Sequence, residues 1–269
     1  MNWLQDVTFG ITWYLRERDL SDCVDSIREH CGESAKIITQ DTAGNVSRGR
    51  NQLLDRVDTR FYFMLEEDMR LTPRTNLNLM WRIMQEGVSG VSGILQERRR
   101  RRAVAIRYRR QSGKLFILNS EKLRLTDRQE PWILADGCSQ WGLFETGILR
   151  SVKWDERLEL QEHWDFFDRF SRQGHSVGVC RSEISHLRSR PTEAYIAARR
   201  RGRNVYFRKE REIIGDFKIV QQLNTRDLLE GKGKLRSVES RETRMAEKRG
   251  IRVERIRDSA RKRRRRKTD

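Results

Sequence analysis

The sequence predicts an α/β fold on a mixed, mostly parallel sheet flanked by helices, and three observations lead there. Over residues 7–66, short apolar runs alternate with stretches of helical spacing, the rhythm of strands joined by crossover helices. The run Phe61 to Leu65 is aromatic-rich and lacks polar alternation, as expected of a strand covered on both faces. That run passes directly into Glu66-Glu67-Asp68, so acids gather at a strand's C-terminal end, where open α/β sheets place their ligands.

The elements follow in order. "DVTFGITWYL" is the first strand, and "LSDCVDSIREHCG" a helix with Leu20, Cys23, Val24 and Ile27 on one face and Gly32 as its stop. "AKIITQD" is a second strand ending at Asp41, and "NVSRGRNQLLDRV" a loop feeding a helix with Leu53, Leu54 and Val57 inward. "RFYFMLEED" is the third strand. "NLNLMWRIMQEG" is a helix, "VSGVSGIL" a glycine-punctuated strand, and "AVAIRYRRQSGKLFILN" a hairpin around Ser112-Gly113. "ADGCSQWGLFETGILRSV" and "WDERLELQEHWDFFDRFSRQGHSVGVC" complete the core, the second with a helix from about Glu162 and a strand from Ser176. "EAYIAARRRGRNVYFRKEREIIGDF" is expected to be helical, with Tyr195, Ile196, Val205, Tyr206 and Phe207 packed back on the core.

With 269 residues, 36% of them hydrophobic and seven of them Trp, the chain can build a sizeable core. Its formal charge is +18, and residues 232–269 hold 17 Lys/Arg against 6 Asp/Glu, or +11 of that total. Such a tail cannot bury a core; it is helical or disordered, and its partners would be polyanions, an anionic membrane surface among them. Residues 1–210 are read as the main domain and 211–231 as an extension before this tail. A second basic run, Arg98 to Arg102, belongs on an exposed loop or strand edge. No apolar run approaches the ~20 residues of a membrane helix and the N-terminus lacks a signal-peptide pattern, so a cytoplasmic chain is expected. Cys23, Cys31, Cys138 and Cys180 are scattered without metal-site spacing and are read as reduced thiols.

Three consecutive acids repel one another, so they need either a cation or water. A solvated turn closed by Pro73 would supply the second. Nucleic acid is an unlikely partner for a site of this kind, since acids repel phosphates, although the Arg runs would suit a nucleic-acid-binding protein.

Four features in chain order then resemble the nucleotide-sugar-dependent glycosyltransferases of the GT-A fold, family 2 type. They are the strand around Thr12 in "VTFGITWYLRERDLSDCVDSI", Asp41 with the following Asn45-to-Asn51 segment, Glu66-Glu67-Asp68, and "LQEHWDFFDRF" ahead of a strand that ends in "ISH" at His186. "WDERL" followed by E-H-x-D-F-F also resembles the β-1,4-N-acetylgalactosaminyltransferase-like enzymes. The likeness covers about residues 6–210 and departs from the family in two places: Glu66-Glu67-Asp68 replaces D-x-D, and Glu162-His163 replaces E-D.

The resemblance implies a metal-dependent, inverting transfer from a nucleotide-sugar, a UDP-sugar by default, to a glycan or lipid-linked acceptor. Glu66, Asp68 and His186 would hold Mn²⁺ or Mg²⁺, whose hard oxygen preference suits carboxylates, with imidazole acceptable to Mn²⁺. Thr12, Asp41, Arg50, Asn51 and Glu67 would line the nucleotide. Arg50 could face phosphate or form an ordinary salt bridge. Glu162 and Asp165, three apart and on one helical face, are the candidate general bases, with the other as orienter or helix cap. Trp141 could stack on a sugar or sit in the core, and His186 and His163 could be ligands or ordinary hydrogen-bonded histidines. A relative that has lost activity and keeps the fold for partner binding is the remaining alternative.

Overall fold

The apolar run Val7–Trp13 forms β1, buried along nearly its whole length. In this computed structural model it lies between β2 (Lys36–Asp41) and β3 (Phe61–Glu66), both parallel to it. The structure describes residues 2–13, 20–97, 100–111, 114–120, 122–159, 162–187, 193, 196–197, 199–201 and 216–219, of which 2, 110–111, 114–119 and 216–219 through their backbone alone. Helix α1 (Ser21–Cys31) crosses from β1 to β2 and stops at Gly32, whose φ of 89° is the left-handed region glycine enters freely. Helix α2 (Val46–Asp55) crosses from β2 to β3 and begins at Asn45, whose side chain accepts from the Arg48 amide at 2.9 Å.

After β3 the chain makes a two-residue turn into a strand the sequence did not announce, β4 (Met69–Leu71). Helix α3 (Leu77–Gln85), capped by the Asn76 side chain, leads to β5 (Gly90–Glu97) and the antiparallel edge strand β6 (Arg100–Ala103). Next come β7 (Ala105–Gln111), β8 (Lys114–Asn119), β9 (Lys122–Leu125), β10 (Pro131–Ala135), β11 (Gly137–Cys138) and β12 (Gly142–Glu145). Helices α4 (Thr146–Val152) and α5 (Glu162–Arg172) precede the long strand β13 (Val177–His186).

The main sheet runs β2-β1-β3-β12-β5-β13-β10-β9, with β4 on β13 and β6 on β5. Along that path only β12 and β10 oppose the other six, so the expected mixed, mostly parallel sheet flanked by helices is the fold. A second sheet, β11-β7-β8-β14, includes β14 (Asp216–Ile219), so the 211–231 segment supplies a strand rather than a plain extension. Contacts divide the chain into two units, Met1–Glu230 and Gly231–Asp269. The basic tail lies outside the described residues, as do Tyr195, Val205, Tyr206, Phe207 and the Ser112-Gly113 turn. Ile196 is exposed, not packed inward as expected. No helix among the described residues is long and apolar enough to cross a membrane.

Two-sided burial of β3 is visible in its alternation. Phe61, Phe63 and Leu65 join the core under α1 and α3, while Tyr62 and Met64 join the core that includes Leu53, Leu54 and the α5 phenylalanines. Each such side chain contributes roughly 1.5–3 kcal/mol by leaving water. Trp141 is fully buried against Phe63, which settles its role as packing. All four cysteines are free thiols.

Close packing of α2 over β1 requires a glycine. A Cβ at Gly10 would fall 2.2 Å from Tyr62 Cε2 and 2.6 Å from Leu53 Cδ2. Gly10→Ala is expected to cost about 1–3 kcal/mol through overpacking, seen as a lower urea midpoint at unchanged slope.

Candidate active site

Parallel pairing brings the ends of β1, β2 and β3 to one edge. Thr12 is in register with Glu66 and with Gln40, and Trp13 with Asp41. The Glu67 amide donates to the Thr12 carbonyl at 3.1 Å, so the acidic turn is anchored to the end of β1. From that turn β4 runs antiparallel to β13 and pairs Met69 with His186. The Leu187 amide donates to the Asp68 carbonyl at 2.7 Å, closing the arrangement. This is how residues separated by over a hundred positions meet.

His186 Nε2 lies 3.3 Å from Asp68 Oδ2, and the candidate ligand atoms of Glu66, Asp68 and His186 all fall within 4.8 Å of one another. Asp68 and His186 are only 14% and 13% exposed. Asp68 Oδ1 is buried with no hydrogen-bond partner among the described residues. A buried carboxylate oxygen left in that state is costly unless something else meets it. Two carboxylates, an imidazole and an unmet oxygen fit a hard or borderline divalent cation such as Mg²⁺ or Mn²⁺.

Glu66 points the other way as well. Its Oε1 accepts from Arg50 Nη2 at 2.6 Å, while Arg50 Nη1 bonds Glu162 Oε1 from the first turn of α5. The guanidinium is 1% exposed and lies 5.6 Å from the Trp154 ring centroid. Of the two expectations for Arg50, phosphate or a salt bridge, the structure has an ion pair, buried between the protein's own acids rather than at the surface. Gln140, from the turn before β12, donates to Glu162 Oε1 at 3.2 Å and lies 2.5 Å from His163 Nδ1.

Charge in this pocket is unbalanced. Burial, reinforced by Asp68 and Glu162, pushes the Glu66 carboxyl up to about 7 in spite of Arg50. Burial alone would lower His186, but its hydrogen bond to Asp68 and the fields of Asp68 and Glu66 outweigh it and raise the imidazole. Arg50 is likewise raised: burial works against its charge, and Glu162 and Glu66 overcome that. His163 is pushed down to about 4 by burial and stays neutral.

Other expected site residues fall in different places. Asp41 is exposed at the end of β2 and accepts from the Ala43 amide at 2.7 Å. The Thr12 hydroxyl turns inward toward the Leu65 carbonyl at 3.5 Å. Asn51 is spent on the chain after α4: it donates to the Trp154 carbonyl and to Glu156 Oε1, both at 3.0 Å, and accepts from the Trp154 amide at 2.9 Å. It braces a loop rather than lining an open site. Asp165 is buried and accepts from Arg169 Nε at 2.8 Å, and Arg169 also donates to the Val152 and Lys153 carbonyls. Glu162 and Asp165 thus share a helix turn but serve different partners. Sequence reasoning passed over Gln140, for which no local signal exists. It also passed over Glu97, an acid at the end of its own strand that was read together with the Arg run.

No family model matches the chain, and no curated protein does. Among solved structures it is similar to TarS of S. aureus, at 11% identity and a TM-score of 0.48, over 71% of this chain and 38% of that one. A197 from STIV is similar at 14% and 0.47, over 68% and 86%. GalNAc-T7, solved with UDP, GalNAc and Mn²⁺, is similar at 8% and 0.48, over 76% and 49%. The chain thus spans less than half the length of TarS and of GalNAc-T7. With these TM-scores below 0.5, the functional reading rests on the site's own geometry.

Two outcomes follow from the charges. Arg50→Met leaves Glu66 and Glu162 buried without their shared cation and is expected to cost about 3–5 kcal/mol in urea denaturation at neutral pH. Glu66 holds more protons folded than unfolded, so the stability it contributes is present below about pH 4.5 and lost as pH rises through about 7. His186, raised from its ordinary 6.5, acts in the same direction above that value. A divalent ion must displace those protons, so the Mn²⁺-induced rise in Tm is expected to be larger near pH 8 than near pH 5.5 by about several degrees in a thermal scan.

Proposed function

We propose that the chain is a metal-dependent, inverting glycosyltransferase that moves a sugar from a nucleotide-sugar donor, a UDP-sugar by family resemblance, to a hydroxyl of a glycan or glycoconjugate. The observation that carries this reading is the meeting of Glu66, Asp68 and His186 at the C-terminal edge of the sheet, with Asp68 Oδ1 buried and unmet. In this reading the three side chains hold Mn²⁺ or Mg²⁺. A divalent ion bound there offsets the negative charge that develops on the leaving diphosphate. Asp41, exposed at the neighbouring strand end, accepts a hydrogen bond from the base or ribose, and Glu67 borders the same rim.

Glu162 is assigned the general base. Arg50 and Gln140 both bind its Oε1, which fixes the carboxylate plane and leaves Oε2 without a hydrogen bond from any described residue. That oxygen removes the acceptor's hydroxyl proton on the face opposite the leaving diphosphate, and help of this kind is typically worth ~10²–10⁴-fold. Asp165, held by Arg169, keeps the first turn of α5 in place. The charge of residues 232–269 supports a peripheral location on an anionic, cytoplasmic membrane face where a lipid-linked acceptor would reside.

The test is Asp68→Asn assayed with a panel of UDP-sugars, with and without Mn²⁺. Donor hydrolysis or transfer is expected to fall about a hundredfold or more while the fold persists by circular dichroism. A rate equal to that of the unchanged protein overturns the reading.

A further inference from the structure

Glu97 closes β5 and is 9% exposed, yet the site as described has no use for it. The parallel ladder between β5 and β13 pairs Leu95 with Ile184 and Gln96 with Ser185, so the next step sets Glu97 beside His186. On the other side, β4 brings Asp68. The imidazole is therefore gripped at both nitrogens: Nδ1 lies 3.1 Å from Glu97 Oε1 and Nε2 3.3 Å from Asp68 Oδ2. Glu97 is itself pinned by Arg102, whose Nη2 donates to the same Oε1 at 3.3 Å from the edge strand β6.

We propose that Glu97 is the positioning residue of the metal centre, accepting the Nδ1 proton of His186 so that the Nε2 lone pair is the one presented to the cation. This inference rests on the functional reading above and extends it to a residue outside the acidic turn. An imidazole bears one proton when neutral, and the nitrogen that carries it cannot bind metal. A carboxylate at Nδ1 fixes both the tautomer and the ring's rotation, and it makes Nε2 a stronger donor. Arg102 holds the Glu97 carboxylate in place from the edge strand. Two of the arginines in the basic run thus have inward duties, since Arg101 Nε also donates to the buried Glu183 at 3.2 Å.

The experiment compares Mn²⁺ binding, followed by electron paramagnetic resonance of the free ion, in the full chain and in Glu97→Leu and Glu97→Gln. Loss of an outer-shell partner of a metal-bound histidine typically weakens metal binding about 10–100-fold. Glu97→Leu is expected to raise the Mn²⁺ Kd within that range, and Glu97→Gln, whose amide oxygen still accepts, to restore most of it. Equal Kd values in all three proteins overturn the inference and leave the glycosyltransferase reading intact. No Mn²⁺ binding by the unchanged protein overturns both. Should Glu97→Leu fail to fold, ¹⁵N spectra of the unchanged, metal-free protein at a pH where His186 is neutral decide alone: a proton on Nδ1 supports the inference, and a proton on Nε2 overturns it.

Discussion

A single guanidinium shared by two carboxylates organises the functional edge of this protein. Arg50 sits on the inward face of α2, Glu66 at the end of β3 and Glu162 at the start of α5, so the pair of contacts ties two consecutive elements to one more than a hundred residues beyond Arg50. An arginine can do this because its planar fork offers separate N–H groups to each acid, whereas a lysine would present one compact charge. The geometry is also expensive in solvation: a buried charge that loses its partner costs several kcal/mol. One positive charge cannot satisfy both acids and Asp68 beyond them. The residue of negative potential falls on the Glu66, Asp68 and His186 cluster, where it adds to the burial that raises Glu66 and outweighs the burial that would lower His186.

The second constraint is register. β13 follows β5 with Val179 beside Ser92, then bulges and resumes with Glu183 beside Ile94. Two extra residues are absorbed on β13 between those points. Had the first alignment continued, Ile184 would stand beside Glu97 in place of the imidazole. The bulge shifts the strand so that His186 arrives there, and it does so where β5 has Gly93, whose Cβ would otherwise lie 2.1 Å from the Ser182 carbonyl. Bulges of this kind commonly re-aim a side chain near a functional site. Here the effect is to place an imidazole between two carboxylates.

Much of this was legible in the sequence, for physical reasons that also mark where reading stops. β1, α1, β2, α2, β3 and α5 were placed to within a residue or two, because hydrophobic period and capping are local properties. The acids at the end of β3 stood out by the local logic of strand ends, and His186 by the family resemblance. What could not be read were partnerships that form only on folding. Three residues, Met69–Leu71, give no strand signal by themselves, and their pairing with β13 exists only because β13 lies alongside. Asn51 and Asp165 have the right chemistry for a site, but Trp154, Glu156 and Arg169 claim them. Arg50 was seen as either a phosphate ligand or a surface ion pair; a buried bridge between two acids is visible only once α2 and α5 are in place.

The one-methylene departure at Glu66 then acquires a physical meaning. Its main chain is held in β3 by register with Thr12, so any difference in side-chain length is felt at the carboxylate. With the longer side chain, Oε1 reaches Arg50 at 2.6 Å while a carboxylate oxygen of the same residue lies within 4.8 Å of the Asp68 and His186 ligand atoms. An aspartate at the same Cα would have to give up one of these reaches or the other. Glu66 therefore couples the buried Arg50–Glu162 pair to the cluster at the sheet edge. Charge arriving at Asp68 and His186 is felt through Glu66 by Arg50, and through Arg50 by the carboxylate assigned to take the acceptor's proton. A shorter acid at that position would leave Glu162 electrically more remote from the cluster, so the departure from D-x-D ties the two halves of the site together.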